Sequence, residues 1–149
     1  MSAAGDDPFD LARFLRAQEE GATFQRALGE LRAGRKRSHW MWFVFPQIAG
    51  LGQTPTSRKY AISSLDEARA YLAHPVLGPR LIDAARIVAE LERGTAEEIF
   101  GGIDAMKLRS SMTLFAYADS ANPIFGQVLE GYFGGVADEA TERLLGVSR

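Results

Sequence analysis

Along most of this chain apolar residues recur three or four positions apart, and helix start and stop signals fall between the stripes. Phe9, Leu11, Ala12, Phe14 and Leu15 form the first face, behind Asp7-Pro8, an N-cap followed by proline at the first helical position. That helix ends near Gly21, and Thr23 offers a cap for a second one through Leu28 and Leu31, stopped at Gly34. Ser64-Leu65-Asp66-Glu67 reads as a capping box, in which Ser64 accepts a backbone N–H and Glu67 returns the bond. It opens a helix through Tyr71 and Leu72 that must end before Pro75. Val76 to Arg93 carries a broad stripe of Leu77, Leu81, Ile82, Ala85, Val88, Ala89 and Leu91. Thr95-Ala96-Glu97-Glu98 is a second capping box on a short turn closed by Gly101-Gly102. Asp104 offers a cap for the next helix, where Leu108, Met112 and Phe115 share one face. Pro123 to Phe133 and Asp138 to Leu145 supply two last helices, each followed by glycine. The pattern predicts an all-α, compact single domain over 1–149, with an ordered core from about 7 to 146 and about seven short helices.

One segment breaks the period. His39-Trp40-Met41-Trp42-Phe43-Val44-Phe45-Pro46 is apolar on every side, so spacing alone does not separate a buried strand from a buried helix. The basic lead-in and the lack of partner strands favour a short buried helix ended by Pro46, with Trp42 and Phe45 in the core. Gln47 to Ser57, with Gly50, Gly52 and Pro55, reads as a loop, and a loop of this length inside a compact domain often has a functional job.

Composition narrows the chemistry. Apolar residues make up 46% of the chain and charged residues 24%, an ordinary globular balance. There is no cysteine, which removes disulfides, thiolate metal sites and cysteine nucleophiles; with only two histidines, no metal and no cofactor is expected. No apolar run approaches the roughly 18 residues of a membrane span, and the N-terminus lacks the pattern of a signal peptide. The expectation is therefore a cytoplasmic protein without a membrane partner. Net charge is −2, which argues against nucleic acid as a bulk partner. Yet Arg32, Arg35, Lys36, Arg37, Arg58 and Lys59 lie in a stretch that holds no acid. A local cationic surface on a mildly acidic chain suits a small anionic ligand.

Three clusters could hold one. In the first, Lys36, Arg37, Ser38 and His39 put cations, a hydroxyl and an imidazole beside a helix, the donors a phosphate needs, with Trp40 or Trp42 as a stacking surface. The plainer alternative is that these cations end the second helix and the tryptophans are core. The second cluster is Ser57-Arg58-Lys59-Tyr60 with Ser63, against the alternative of a solvated linker. In the third, Lys107, Ser110 and Ser111 share a helical face, with Arg109 and Thr113 on another side. Hydroxyls at mid-helix are poor helix formers, so a binding role competes well with a solvated face. The expectation is that all three clusters meet around one pocket about 10 Å across. His74 between two helices is expected to cap or pack.

The runs GRKRSHWMWFVFPQIAGLG (34–52), YAISSLDEARAYLAHPVLGPRL (60–81) and DAMKLRSSMTLFA (104–116), with DPFDLARFLRAQ near the start, resemble the bacterial family called domain of unknown function 1810. The resemblance covers about Asp7 to Gly146 and implies a small, mostly helical domain without an established activity. Its motif positions include Lys36, Arg37, Ser38, His39, Trp40, Gln47, Tyr60, Ser63, His74, Lys107, Arg109, Ser110 and Ser111, which coincide with the three clusters. The function expected is binding of a small phosphorylated or nucleotide-like ligand, with Lys36, Arg37, Lys107 and Arg109 on the anion, Lys59 and Tyr60 elsewhere on the ligand, and serines donating hydrogen bonds. If chemistry follows, His39 is the proton carrier, and an N-glycosidase on a nucleotide-like substrate is the enzyme reading. The rival is an interaction module that docks an acidic protein or RNA through its basic face. A domain without a ligand is the third reading. The sequence leaves the oligomeric state open.

Overall fold

The computed structural model describes residues 7–91 and 94–147. Its helices are α1 (Ala12–Glu19), α2 (Thr23–Arg32), α3 (Met41–Val44), α4 (Pro55–Lys59), α5 (Leu65–Ala73), α6 (Leu77–Glu90), α7 (Ala96–Phe100), α8 (Gly102–Ala118), α9 (Ile124–Phe133) and α10 (Glu139–Leu145), with a 3-10 turn at Glu20–Ala22. The class is all-α, as the spacing predicts. The described residues hold ten helical segments where the pattern predicts about seven, because several are single turns too short to show a period. None is long and apolar enough to cross a membrane.

The longest helix, α8, forms the axis. Leu108, Met112, Leu114 and Phe115 are all fully buried, and α3, α5, α7, α9 and α10 pack around it. The second layer is α6, whose Leu77, Leu81, Ala84, Ala85 and Val88 are buried against α2, α5 and α9. The helices α5 and α6 approach so closely that a Cβ on Gly78 would stand 2.0 Å from the Leu72 carbonyl oxygen.

Several caps differ from expectation. Asp7 does cap, but from a turn before the helix, accepting the N–H groups of Leu11 and Ala12 at 2.8 and 3.0 Å. Thr23 is the first residue of α2 rather than its cap, and its hydroxyl donates to the Glu20 carbonyl. Ser64 accepts the Glu67 N–H, yet Glu67 does not return the bond to Ser64, because its carboxylate is drawn to Ser63 and Arg13. The Thr95–Glu98 box is complete in both directions. Asp104 lies inside the first turn of α8 and spends its carboxylate on lysines. His74 caps α6, its Nδ1 accepting the N–H groups of Val76 and Leu77 at 3.1 and 3.2 Å. That helix closes at Glu90; Arg93, where the sequence pattern ends it, lies outside the described residues.

Within the predicted loop the chain makes a further helical turn, α4, with Thr54 as N-cap and Pro55 at the first position. This start signal was present in the sequence, masked by the glycines before it. A single parallel bridge pairs Ile48 with Ile62: the Ile62 N–H donates to the Gln47 carbonyl and the Ala49 N–H to the Ile62 carbonyl, both at 2.8 Å. This pairing folds the loop after the aromatic segment against the chain around Tyr60.

Candidate functional site

The basic run 35–40 is organised by a carboxylate of its own chain. Glu30 on α2 accepts the N–H of Arg37 at 2.7 Å, the N–H and hydroxyl of Ser38 at 3.0 and 2.6 Å, and the indole N–H of Trp40 at 2.9 Å. Ser38, expected to donate to a phosphate, and Trp40, expected as a stacking surface, are thus turned onto an internal anion. Arg37 and His39 are exposed and their side chains have no partner among the described residues. Burial alone would raise the Glu30 pKa, but the bonds from Ser38, Arg37 and Trp40 hold it down to about 2. A carboxyl with a folded pKa near 2 and an ordinary value of 4.5 stabilises the fold above the ordinary value, and loses that contribution as pH falls through the interval. Glu30→Gln should cost about 2 kcal/mol at neutral pH, the scale of charged hydrogen bonds. In urea unfolding at stepped pH, the gap to the wild type should stay constant above about pH 5 and shrink toward pH 2. A gap that stays unchanged at the acid end would show that the carboxylate charge is not what these donors need.

From the same run, Lys36 reaches the other way. Its ammonium pairs with Asp104 at 2.8 Å and stands 5.2 Å from the Trp40 ring centre. Lys107 pairs with the other oxygen of Asp104 at 3.3 Å and stands 4.7 Å from the Trp42 ring centre. Two lysines thus share one carboxylate above two tryptophans, which leaves an excess positive charge beside α8.

Trp42 separates from the core here. Trp40 and Phe45 are fully buried, whereas Trp42 is half-buried and forms a wall of a cavity of about 120 Å³. The other walls come from the loop at Gln47 to Gly50, from Gly52, and from Ser57, Arg58, Tyr60 and Ala61. Gln47, Gly52 and Ser57 also border a second, more open cleft of about 270 Å³, lined further by Leu51, Ile103, Met106, Lys107, Ser110 and Asp138, and cavity and cleft side by side make up a groove. Gly52 is required where α4 folds back on the loop, since a Cβ there would stand 2.4 Å from the Ser57 Cβ. Tyr60 is fixed by ring contacts with Phe14 and Phe43. Its hydroxyl and the Gln47 side-chain amide make no hydrogen bond within the described protein. Among the described residues two further polar atoms are buried without a partner, the Trp42 Nε1 and the Ser111 Oγ.

The three clusters therefore meet only in part. Tyr60 lines the cavity with Trp42 and Arg58, Lys107 and Ser110 line the cleft, and Gln47 and Ser57 border both. Lys36 joins indirectly through Asp104. Arg37, Ser38, His39 and Trp40 do not line it, because Glu30 draws their segment to α2. Lys59 opens instead onto a second cleft with Arg13 and Arg16. Ser63 donates to Glu67 at 2.7 Å, and Arg109 donates to the Val136 carbonyl at 2.9 Å on the side of α10. Ser111, one turn beyond Lys107, is fully buried. No group of histidine and acidic residues placed to hold a metal occurs among the described residues. Ser57 and Arg58, which the second cluster contains but the expected binding set leaves out, line the cavity from α4, with Arg58 exposed.

The profile of a family described as "Protein of unknown function (DUF1810)" matches residues 8–145. Among solved structures, the crystal structure of the conserved hypothetical protein Rv1873 from Mycobacterium tuberculosis is 53% identical, with a TM-score of 0.91, covering 95% of this chain and 100% of that one. The comparison with curated proteins gives no match.

Proposed function

This chain belongs to the DUF1810 family, whose description assigns no activity, and we propose from the groove alone that it binds a small nucleotide-like ligand, a flat ring carrying an anionic substituent. The observation that carries this reading is the cavity walled by Trp42 and Tyr60, in which the Gln47 amide and the Tyr60 hydroxyl are unused by the protein. Aromatic walls with a few convergent polar groups are the usual form of a small-molecule site. Arg58 at the cavity and Lys107 in the adjoining cleft supply the positive charge. Lys107 suits the anion because Asp104 is already shared with Lys36, so a second anion near it completes a balanced set.

A thermal-shift series with nucleoside monophosphates tests this, since a ligand at a hundredfold excess over its Kd stabilises by about 2.7 kcal/mol. The wild type should shift with at least one monophosphate, and Lys107→Met should lose the shift while keeping its own melting temperature within a few degrees. Equal shifts in both proteins would remove Lys107 from the site. No shift with any monophosphate would favour the rival reading, docking of an acidic partner. That reading has its own support in Arg32, Arg35, Arg37 and His39, all exposed and without side-chain partners among the described residues.

A further inference from the structure

The large apolar side chains that stand most open to solvent among the described residues, Ile103, Met106, Val136 and Leu144, belong to one face of the molecule. Ile103 and Met106 line the cleft beside the cavity, together with Asp138 and Ala140. Asp138 and Ala140 also border a further open cleft, of about 650 Å³, in which Val136 is a wall. Leu144 lies one turn beyond Ala140 on α10, and its methyl groups reach the loop at Gly50, where a Cβ would stand 3.1 Å from one of them. Ile103 is 76% exposed and Met106 69%. Scattered singly, such side chains are ordinary surface; gathered on one face, they mark a contact surface. We propose that this face joins two copies of the chain, the start of α8 and the exposed side of α10 in one copy packing on the same elements of the other.

The charges around the apolar residues select that occupant. The walls of the two clefts carry Lys107, Arg109 and Arg143 against Asp138, Glu139 and Glu142, a balanced set. In a two-fold contact, wherever one residue meets another the reverse pair forms as well, so a surface that holds both signs can match each cation with a carboxylate of the other copy. Nucleic acid or an anionic lipid surface would set its own charge against these carboxylates and leave the apolar residues without a complement. A strongly acidic or strongly basic protein would meet like charge along part of the rim. The pairings inside the chain are easily exchanged. Glu139 and Arg143 meet at 3.0 Å with side chains 87% and 68% exposed, and a surface pair of this kind contributes little. Arg109 gives its Nε–H to the uncharged Val136 carbonyl and has no carboxylate partner among the described residues.

Methionine suits such a contact, because its unbranched chain adapts to the facing surface. The two clefts take in somewhat fewer residues than the roughly 20–30 a side of a standard interface, so the dimer expected is a weak one, dissociating in the micromolar range. The inference goes beyond the ligand-binding reading and shares Lys107 with it. The cavity between Trp42 and Tyr60 reaches this face through Gln47, Gly52 and Ser57.

Sedimentation velocity of the full chain without nucleotide, from about 2 to about 200 µM, brackets that range and does not depend on the ligand-binding reading. The mean sedimentation coefficient should rise with concentration from that of a monomer toward that of a dimer. Ile103→Gln combined with Met106→Gln should weaken association about tenfold or more, as loss of central apolar contacts does, and leave the melting temperature of the dilute protein within a few degrees of the wild type. Glu139→Lys, which unbalances the charges and spares the apolar residues, should weaken it as well. A chain that stays monomeric at the highest concentration would overturn the inference. So would a dimer that the double variant leaves intact, since the contact would then use another face. Binding of the monomer to phosphatidylcholine vesicles containing phosphatidylglycerol, lost in the double variant, would overturn it by giving the face to a lipid surface.

Discussion

Glu67→Ala is expected to destabilise the protein by about 3–5 kcal/mol, the scale on which buried ion pairs fail when one partner is removed. The Glu67 side chain is 3% exposed and that of Arg13 12%, and they meet at 2.9 Å. The second carboxylate oxygen of Glu67 accepts both the N–H and the hydroxyl of Ser63, at 2.8 and 2.7 Å. Removal of the carboxylate therefore leaves three donors without their acceptor. Arg13 would remain, still donating to the carbonyls of Lys59 and Ala61 at 2.7 and 2.8 Å, but as a charge without a counterion. For a chain of this size the loss corresponds to a melting temperature lower by roughly 10 °C. The effect should also reach the groove, since Lys59 and Ala61 flank Tyr60 in the chain and Tyr60 is a wall of the ring cavity. Calorimetric melting of Glu67→Ala beside Glu67→Gln measures it. A loss below about 1 kcal/mol for the alanine variant would mean that the pair contributes packing alone.

The helical class was legible because α1, α2, α6 and α9 each repeat apolar residues over two turns or more, and burial of one face enforces the period. The single turns were less so. In α4 the Thr54-Pro55 start is outweighed by Gly50 and Gly52, whose work is tertiary: Gly50 adopts φ +106 beside Leu144, and Gly52 lets Ser57 close in. Residue chemistry pointed to Tyr60, Lys107 and Ser110, and the family motif to Gln47; Tyr60 lines the cavity, Lys107 and Ser110 the adjoining cleft, and Gln47 borders both. It misjudged the run 36–40 for a definite reason. The run contains no acid, so it reads as an open anion site, while the acid that fills it, Glu30, stands on the preceding helix in an unremarkable position. Charge counted along the chain does not show which cations and donors are already taken. The same holds for Glu67, which reads as a helix-cap partner until Arg13 arrives from a distant part of the chain.

The two tryptophans two residues apart should behave as opposites. Trp40→Ala is expected to cost about 3–5 kcal/mol, because the ring is fully buried against Phe45 and Phe100 and its loss opens a large cavity. It also strips Glu30 of one of its four donors. Trp42 is half-buried, and its Nε1 has no acceptor, so part of its burial works against the fold. Trp42→Phe removes that stranded N–H and keeps an aromatic wall for the cavity and a face for Lys107. It should be neutral or stabilising by up to about 1 kcal/mol, since an unsatisfied buried donor costs on that order. Trp42→Ala should cost less stability than Trp40→Ala and yet abolish the nucleotide-induced shift, because the ring cavity loses a wall. Urea unfolding of the three variants separates these effects, with the monophosphate that shifts the wild type as the added probe. Equal losses from Trp40→Ala and Trp42→Ala would return Trp42 to the core, where an all-round apolar segment first suggests it belongs. A Trp42→Phe variant that is destabilised by more than about 1 kcal/mol would count against a stranded indole N–H and point to a buried water as its partner.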